Sequence, residues 1–146
     1  MRSYHIYLIE EEFAQHYFGR EKIFLNLFME YTRSSGGQRR ILQKQIDYIT
    51  RPIPVLKIQQ SINDYLFYKE DVSYKDGVYY IQKNSGNSRA ALQINKEHLI
   101  LQAEGEYDAE TAFFESIRKC ETSFLAFDIK NQRCGWLKPI KERKFV

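Results

Sequence analysis

The chain has 146 residues, 43% apolar and 28% charged, a balance that supports one packed core and excludes a chain disordered as a whole. Its 22 basic and 19 acidic residues leave a formal charge of +3 spread along the chain, which argues against a dedicated nucleic-acid binder. Cys120 and Cys134 show neither zinc-clip spacing nor disulfide density. No apolar run reaches the roughly 20 residues of a membrane helix and none follows Met1, so a single domain over residues 1–146 in the cytoplasm is the expectation.

Tyr4 to Ile9 reads as a first strand, aromatic and β-branched without clean alternation, as expected for a strand buried on both faces. Glu10, Glu11 and Glu12 then open a helix, where carboxylates suit the positive end of the helix dipole. From Phe13 to Tyr31 the residues Phe13, Tyr17, Phe24, Phe28 and Tyr31 form one apolar stripe, widened by Ile23 and Leu27. Gly19 falls inside it, so either one helix or two helices fit the pattern.

Ser34 to Gly37 predicts a loop, and Leu42, Ile46 and Ile49 give the next helix its apolar face, with Lys44, Gln45 and Asp47 toward water. Pro52 ends that helix. Pro52 and Pro54 hold Arg51 and Ile53 extended, and Pro54 starts a helix with Val55, Ile58, Ile62 and Tyr65 at helical spacing. Val78–Lys83, Arg89–Ile94 and His98–Glu104 predict an antiparallel meander. Asp108 is expected to cap a helix running to Lys119, with Phe113 and Ile117 inward and Ala109 and Ala112 permitting close packing. Ser123–Ile129 and Cys134–Leu137 complete a hairpin. The expected fold class is α/β or α+β: a mostly antiparallel sheet packed against several short helices.

Chemistry has little foothold in this pattern. His5, His16 and His98 lack the pairing of a helical zinc site, the seven glycines form no phosphate loop, and no cofactor or metal is expected. Glu104, Glu106, Asp108 and Glu110 sit where a helix start attracts carboxylates for capping and dipole reasons. A dispersed Cys–His site is the enzymatic alternative. Tyr74, Tyr79 and Tyr80, with the basic tail Lys138, Lys141, Arg143 and Lys144, are the basis of the nucleic-acid-binding alternative. Phe13 and Tyr17, one turn apart, are by pattern alone core residues or anchors of a protein interface.

Three ordered blocks carry a family resemblance. Glu11 to Glu21 (Glu-Glu-Phe-Ala-Gln-His-Tyr-Phe-Gly-Arg-Glu) resembles the amino-terminal signature of SirA proteins, sporulation inhibitors of replication in endospore-forming bacilli. Gln45 to Leu56, with Tyr48-Ile49-Thr50 and Pro52-Ile53-Pro54, is similar to their second block. Tyr107-Asp108-Ala109-Glu110-Thr111, Phe113-Phe114-Glu115, Gly135-Trp136-Leu137, Pro139 and the closing Lys141 to Val146 resemble their third. The resemblance implies a non-enzymatic, cytoplasmic inhibitor of replication initiation that binds domain I of the initiator DnaA, with no direct nucleic-acid contact and no membrane. It implies that Phe13 and Tyr17 lie at that partner surface, with Gln45 and Pro139 beside them.

Overall fold

The computed structural model describes residues 1–67 and 71–138. Strand β1, Arg2–Ile9, is followed by helices α1 (Glu11–His16), α2 (Lys22–Arg33) and α3 (Gly36–Ile49), the two-residue strand β2 (Thr50–Arg51) and α4 (Val55–Tyr65). Strands β3 (Asp71–Lys75), β4 (Val78–Lys83), β5 (Ser88–Ile94) and β6 (Leu99–Gly105) precede α5 (Asp108–Ile117), and β7 (Phe124–Asp128) and β8 (Arg133–Trp136) end the fold. The class is α+β. The strands form one antiparallel sheet in the order β3-β4-β5-β6-β1-β7-β8. β2 pairs with the end of β1, on the edge that β6 has left free.

β1 is central because both its faces are apolar. Ile6 and Leu8 join a core formed with Ile58 and Ile62 of α4 and Phe113 and Ile117 of α5. Ile9, pointing the other way, joins a second core of Phe24, Leu25, Phe28, Ile46, Leu125 and Phe127. Phe28 stacks on Phe127 at 4.3 Å and tilts against Tyr7 at 4.4 Å, which fixes α2 on the sheet. α4 and α5 thus cover one face, while α1 to α3 cover the other only around β1, β7 and β8. Over β4, β5 and β6 that second face is bare, a hollow of about 530 Å³ around Tyr80, Ala91 and Gln102.

Several local expectations change. The stripe from Phe13 to Tyr31 divides into two helices at Gly19, whose φ of 79° lies in the left-handed region that glycine enters without strain. The loop at Ser34 to Gly37 is shorter than expected, because α3 already begins at Gly36; Ser34 Oγ and the Arg39 guanidinium both donate to the Tyr31 carbonyl, at 2.8 and 2.9 Å, and close the turn. The meander gains β3, joined to β4 by Asp76 and Gly77, both with positive φ as a type I′ hairpin turn requires. Asp108 is not the cap of α5: the Ala109 N–H donates instead to Ser88 Oγ at 2.9 Å, and the Asp108 carboxylate accepts from Asn84 at 2.6 Å.

Two polar features inside this frame generate predictions. Glu110 is only 2% exposed and receives the Arg2 guanidinium, whose Nε donates at 2.6 Å and which also lies 4.3 Å over the Tyr107 ring. Burial first, and then the Glu110 carboxylate, push the Tyr4 hydroxyl up to about 12. Arg2→Ala leaves a buried carboxylate without its cation and should cost about 3 kcal/mol in denaturant unfolding; a loss below about 0.5 kcal/mol would show that the pair is dispensable.

The His5 and His98 rings stack at 5.4 Å, with Tyr7 on His98 at 4.9 Å. Burial lowers both imidazoles below their ordinary 6.5, and for His98 the neighbouring His5 adds to the effect. Unfolded imidazoles therefore take up protons at higher pH than folded ones, so stability is lost as pH falls through about 6.5. Thermal unfolding should show a lower midpoint at about pH 5.5 than at 7.5, and His98→Phe should flatten that dependence.

Candidate docking groove

Helices α1, α2 and α3 enclose an apolar groove of about 650 Å³ lined by Phe13, Tyr17, Ile23, Phe24, Leu27, Ile41, Lys44, Gln45, Tyr48 and Ile49. α1 is tied to the end of α3 by the Glu10 N–H, which donates to the Ile49 carbonyl at 2.8 Å. Phe13 then meets Tyr48 at 5.3 Å, and Tyr17 packs edge-on against Phe24 at 5.4 Å with the Arg20 guanidinium 5.4 Å over its ring. Both aromatics are half-buried: each rests on the second core and lines the groove.

α3 carries two stripes side by side. Leu42 and Ile46 turn inward and are buried, with Ile49 shared between the second core and the groove, whereas Ile41, Gln45 and Tyr48, one position out of phase at i, i+4 and i+7, face the groove. Tyr48 is 74% exposed and Ile41 61%, so the groove wall presents large apolar groups to water. Ile23, expected to widen the inward stripe of α2, is instead exposed at the groove. Sequence reasoning put Tyr48 and Ile41 in no site; the offset repeat was the signal for them.

The structure brings Phe13, Tyr17 and Gln45 to one surface. Pro139 lies outside the described residues, as do Lys141, Arg143 and Lys144 of the basic tail.

The other chemical candidates separate. Cys120 Sγ donates to the Lys57 carbonyl at 3.7 Å and Cys134 Sγ to the Glu21 carbonyl at 3.8 Å, and burial pushes both thiols up, away from the thiolate a nucleophile needs. Glu104 pairs with Arg89, Glu110 with Arg2, and Glu106 and Asp108 both accept from Asn84, so these carboxylates serve the fold. Among the described residues no three His, Cys, Asp or Glu side chains gather as metal ligands, and no helix is long and apolar enough to cross a membrane. Tyr74 and Tyr79 share the helix-covered side of the sheet while Tyr80 lies on the bare side, so the three make no single stacking platform.

The family described as Sporulation inhibitor of replication protein SirA matches residues 2–141. The chain belongs to this family. A relative of that name from Bacillus subtilis (strain 168) is 45% identical over 148 residues, covering 99% of each chain. SirA proteins are by their description regulators of replication in sporulation, a role that suits a surface built of apolar side chains rather than of reactive ones.

In this SirA-family chain a polar latch holds the break between α1 and α2, two of the helices that wall the groove. Glu21, just after the Gly19 break, accepts from the Trp136 indole at 3.1 Å and from the Gly19 N–H at 3.2 Å. Burial disfavours its charge, but these donated bonds and that of its own N–H outweigh it and hold the carboxyl below its ordinary value. The stabilisation is present above about 4.5 and lost as pH falls through the lower folded value. Trp136 is the single tryptophan, so its emission should titrate in that acid range. Glu21→Gln should abolish the transition and cost roughly 1 kcal/mol, after allowance for solvent at this partly exposed site; an unchanged titration would assign it to another group.

Proposed function

We propose that this chain restrains initiation of chromosomal replication during sporulation by binding domain I of DnaA in the groove between α1, α2 and α3. The observation that carries the reading is the convergence of Phe13, Tyr17 and Gln45 with the exposed Ile41 and Tyr48 on one concave apolar surface. Aromatic side chains supply large contact area at small rotamer cost, and a rim of Lys44, Gln45 and Arg20 supplies polar contacts around them. Family membership supplies the biological setting, and the sequence resemblance adds Pro139 as a further expected contact with the partner.

Inhibition of this kind requires no bond to be made or broken. Occupying a domain that the initiator uses for self-association or helicase recruitment lowers the population of competent complexes by mass action. The partner carries the contact with DNA, and the chain stays off it. The separated faces of Tyr79 and Tyr80 weigh against the alternative of direct nucleic-acid binding.

Calorimetric titration into isolated DnaA domain I tests the reading. Phe13→Ala, Tyr17→Ala and Tyr48→Ala should each weaken binding by about 2 kcal/mol, or roughly 30-fold. Tyr48→Ala is the cleanest of the three, because its side chain is mostly in water and its removal should change stability by less than about 0.5 kcal/mol. Absence of heat from the folded wild-type protein at tens of micromolar, or alanine variants that bind like wild type, would sink the assignment.

A further inference from the structure

β3 ends the sheet, and among the described residues β4 is its one strand partner. Its outer edge therefore presents backbone N–H and C=O groups that no strand among the described residues satisfies, a template for further pairing. Natural edges are commonly blunted by proline, bulges or an obstructing charge. β3 reads Asp71-Val72-Ser73-Tyr74-Lys75, contains no proline, and pairs with β4 in unbroken register from Asp71↔Gln82 to Lys75↔Val78.

We propose that β3 pairs with β3 of a second copy of this chain, antiparallel and centred on Ser73, to join two sheets into one. In that register Asp71 stands opposite Lys75 of the second copy, Val72 opposite Tyr74, and Ser73 opposite itself. Both ion pairs fall on the bare side of the sheet, with Gln82 and Tyr80. Both Val–Tyr pairs fall on the side of buried Tyr79 and Ile81, where Tyr74 already leans on Tyr79 at 4.7 Å yet stays 50% exposed. Opposite charges and aromatic–β-branched pairs are the cross-strand combinations that stabilise antiparallel neighbours.

The same five residues reject the alternatives. Parallel in-register stacking sets Asp71 on Asp71 and Lys75 on Lys75, so the edge does not template a fibre. Sliding the antiparallel register by two residues breaks both ion pairs. The two-fold axis closes the assembly at a dimer, because each copy spends its β3 edge in the contact. The axis is perpendicular to the sheet, so both groups of α4 and α5 stay on one side, and the α1–α3 grooves lie at the two far ends, unobstructed. The pairing stands independently of what those grooves bind.

Sedimentation equilibrium of the full chain, from about 5 to about 300 µM, covers the weak range expected of a contact smaller than a standard interface. Asp71 and Lys75 are both exposed on the hairpin, so reversing either leaves the fold intact, which far-ultraviolet circular dichroism verifies. Asp71→Lys and Lys75→Asp should each weaken the dimer by about tenfold or more, and an equimolar mixture of the two variants should restore it, since both ion pairs reform between unlike copies. A wild-type protein that stays monomeric throughout overturns the proposal. So does a dimer indifferent to both reversals, or assembly that continues past the dimer.

Discussion

Strand β1 has to satisfy two cores at once, and the rest of the architecture follows from that demand. A strand in the middle of a sheet with helices on both sides cannot alternate apolar with polar, and Ile6, Leu8 and Ile9 are all fully buried as a result. One set of its side chains calls for α4 and α5. The other, continued by Leu125 and Phe127 of β7, calls for a second helical layer, which α2 and α3 supply. That second layer is narrow because farther along the sheet the same face carries Tyr80, Ala91 and Gln102, which need no cover. The apolar groove lies on the outside of this narrow layer, where α1, α2 and α3 meet without filling the space between them.

Elements held together by local periodicity were legible in the sequence, and those held by distant partners were not. β4, α3 and α4 fall where their spacing of apolar residues predicts. β2 has only two residues and is a strand solely because Leu8 and Ile9 lie beside it. β3 escaped notice because its residues are mostly exposed and charged at the ends, although Asp76-Gly77 is a hairpin signal in plain view. Asp108 has the chemistry of a cap, but Ser88, twenty-one positions before Ala109, reaches that N–H first. Whether Phe13 to Tyr31 would break was undecidable from Gly19 alone, since the carboxylate that holds the break is itself held by Trp136, at the other end of the chain.

The candidate site was legible to a different degree. Pattern alone offers core or interface for Phe13 and Tyr17 as exclusive choices, whereas an aromatic ring has two faces and these rings use both. Their half-burial makes this surface both apolar and well ordered: the core immobilises the two rings, so little side-chain freedom would remain to be lost on binding in the proposed role. Ile41 and Tyr48 are harder to see in the sequence, because a helix with one obvious apolar stripe invites no search for a second.

The pairing of β1 also governs how the chain reaches its native state. Its neighbours β6 and β7 begin at Leu99 and Phe124, so β1 waits for partners made far later in synthesis. Helices α2 and α3 can form early from local contacts, but the sheet they rest on does not exist until β7 has been made as well. During that interval an apolar strand with two unsatisfied faces stays exposed, a period of dependence on chaperones and of vulnerability to proteases. A chain that stops before β7 lacks Leu125 and Phe127, and with them much of the second core on which the groove is built.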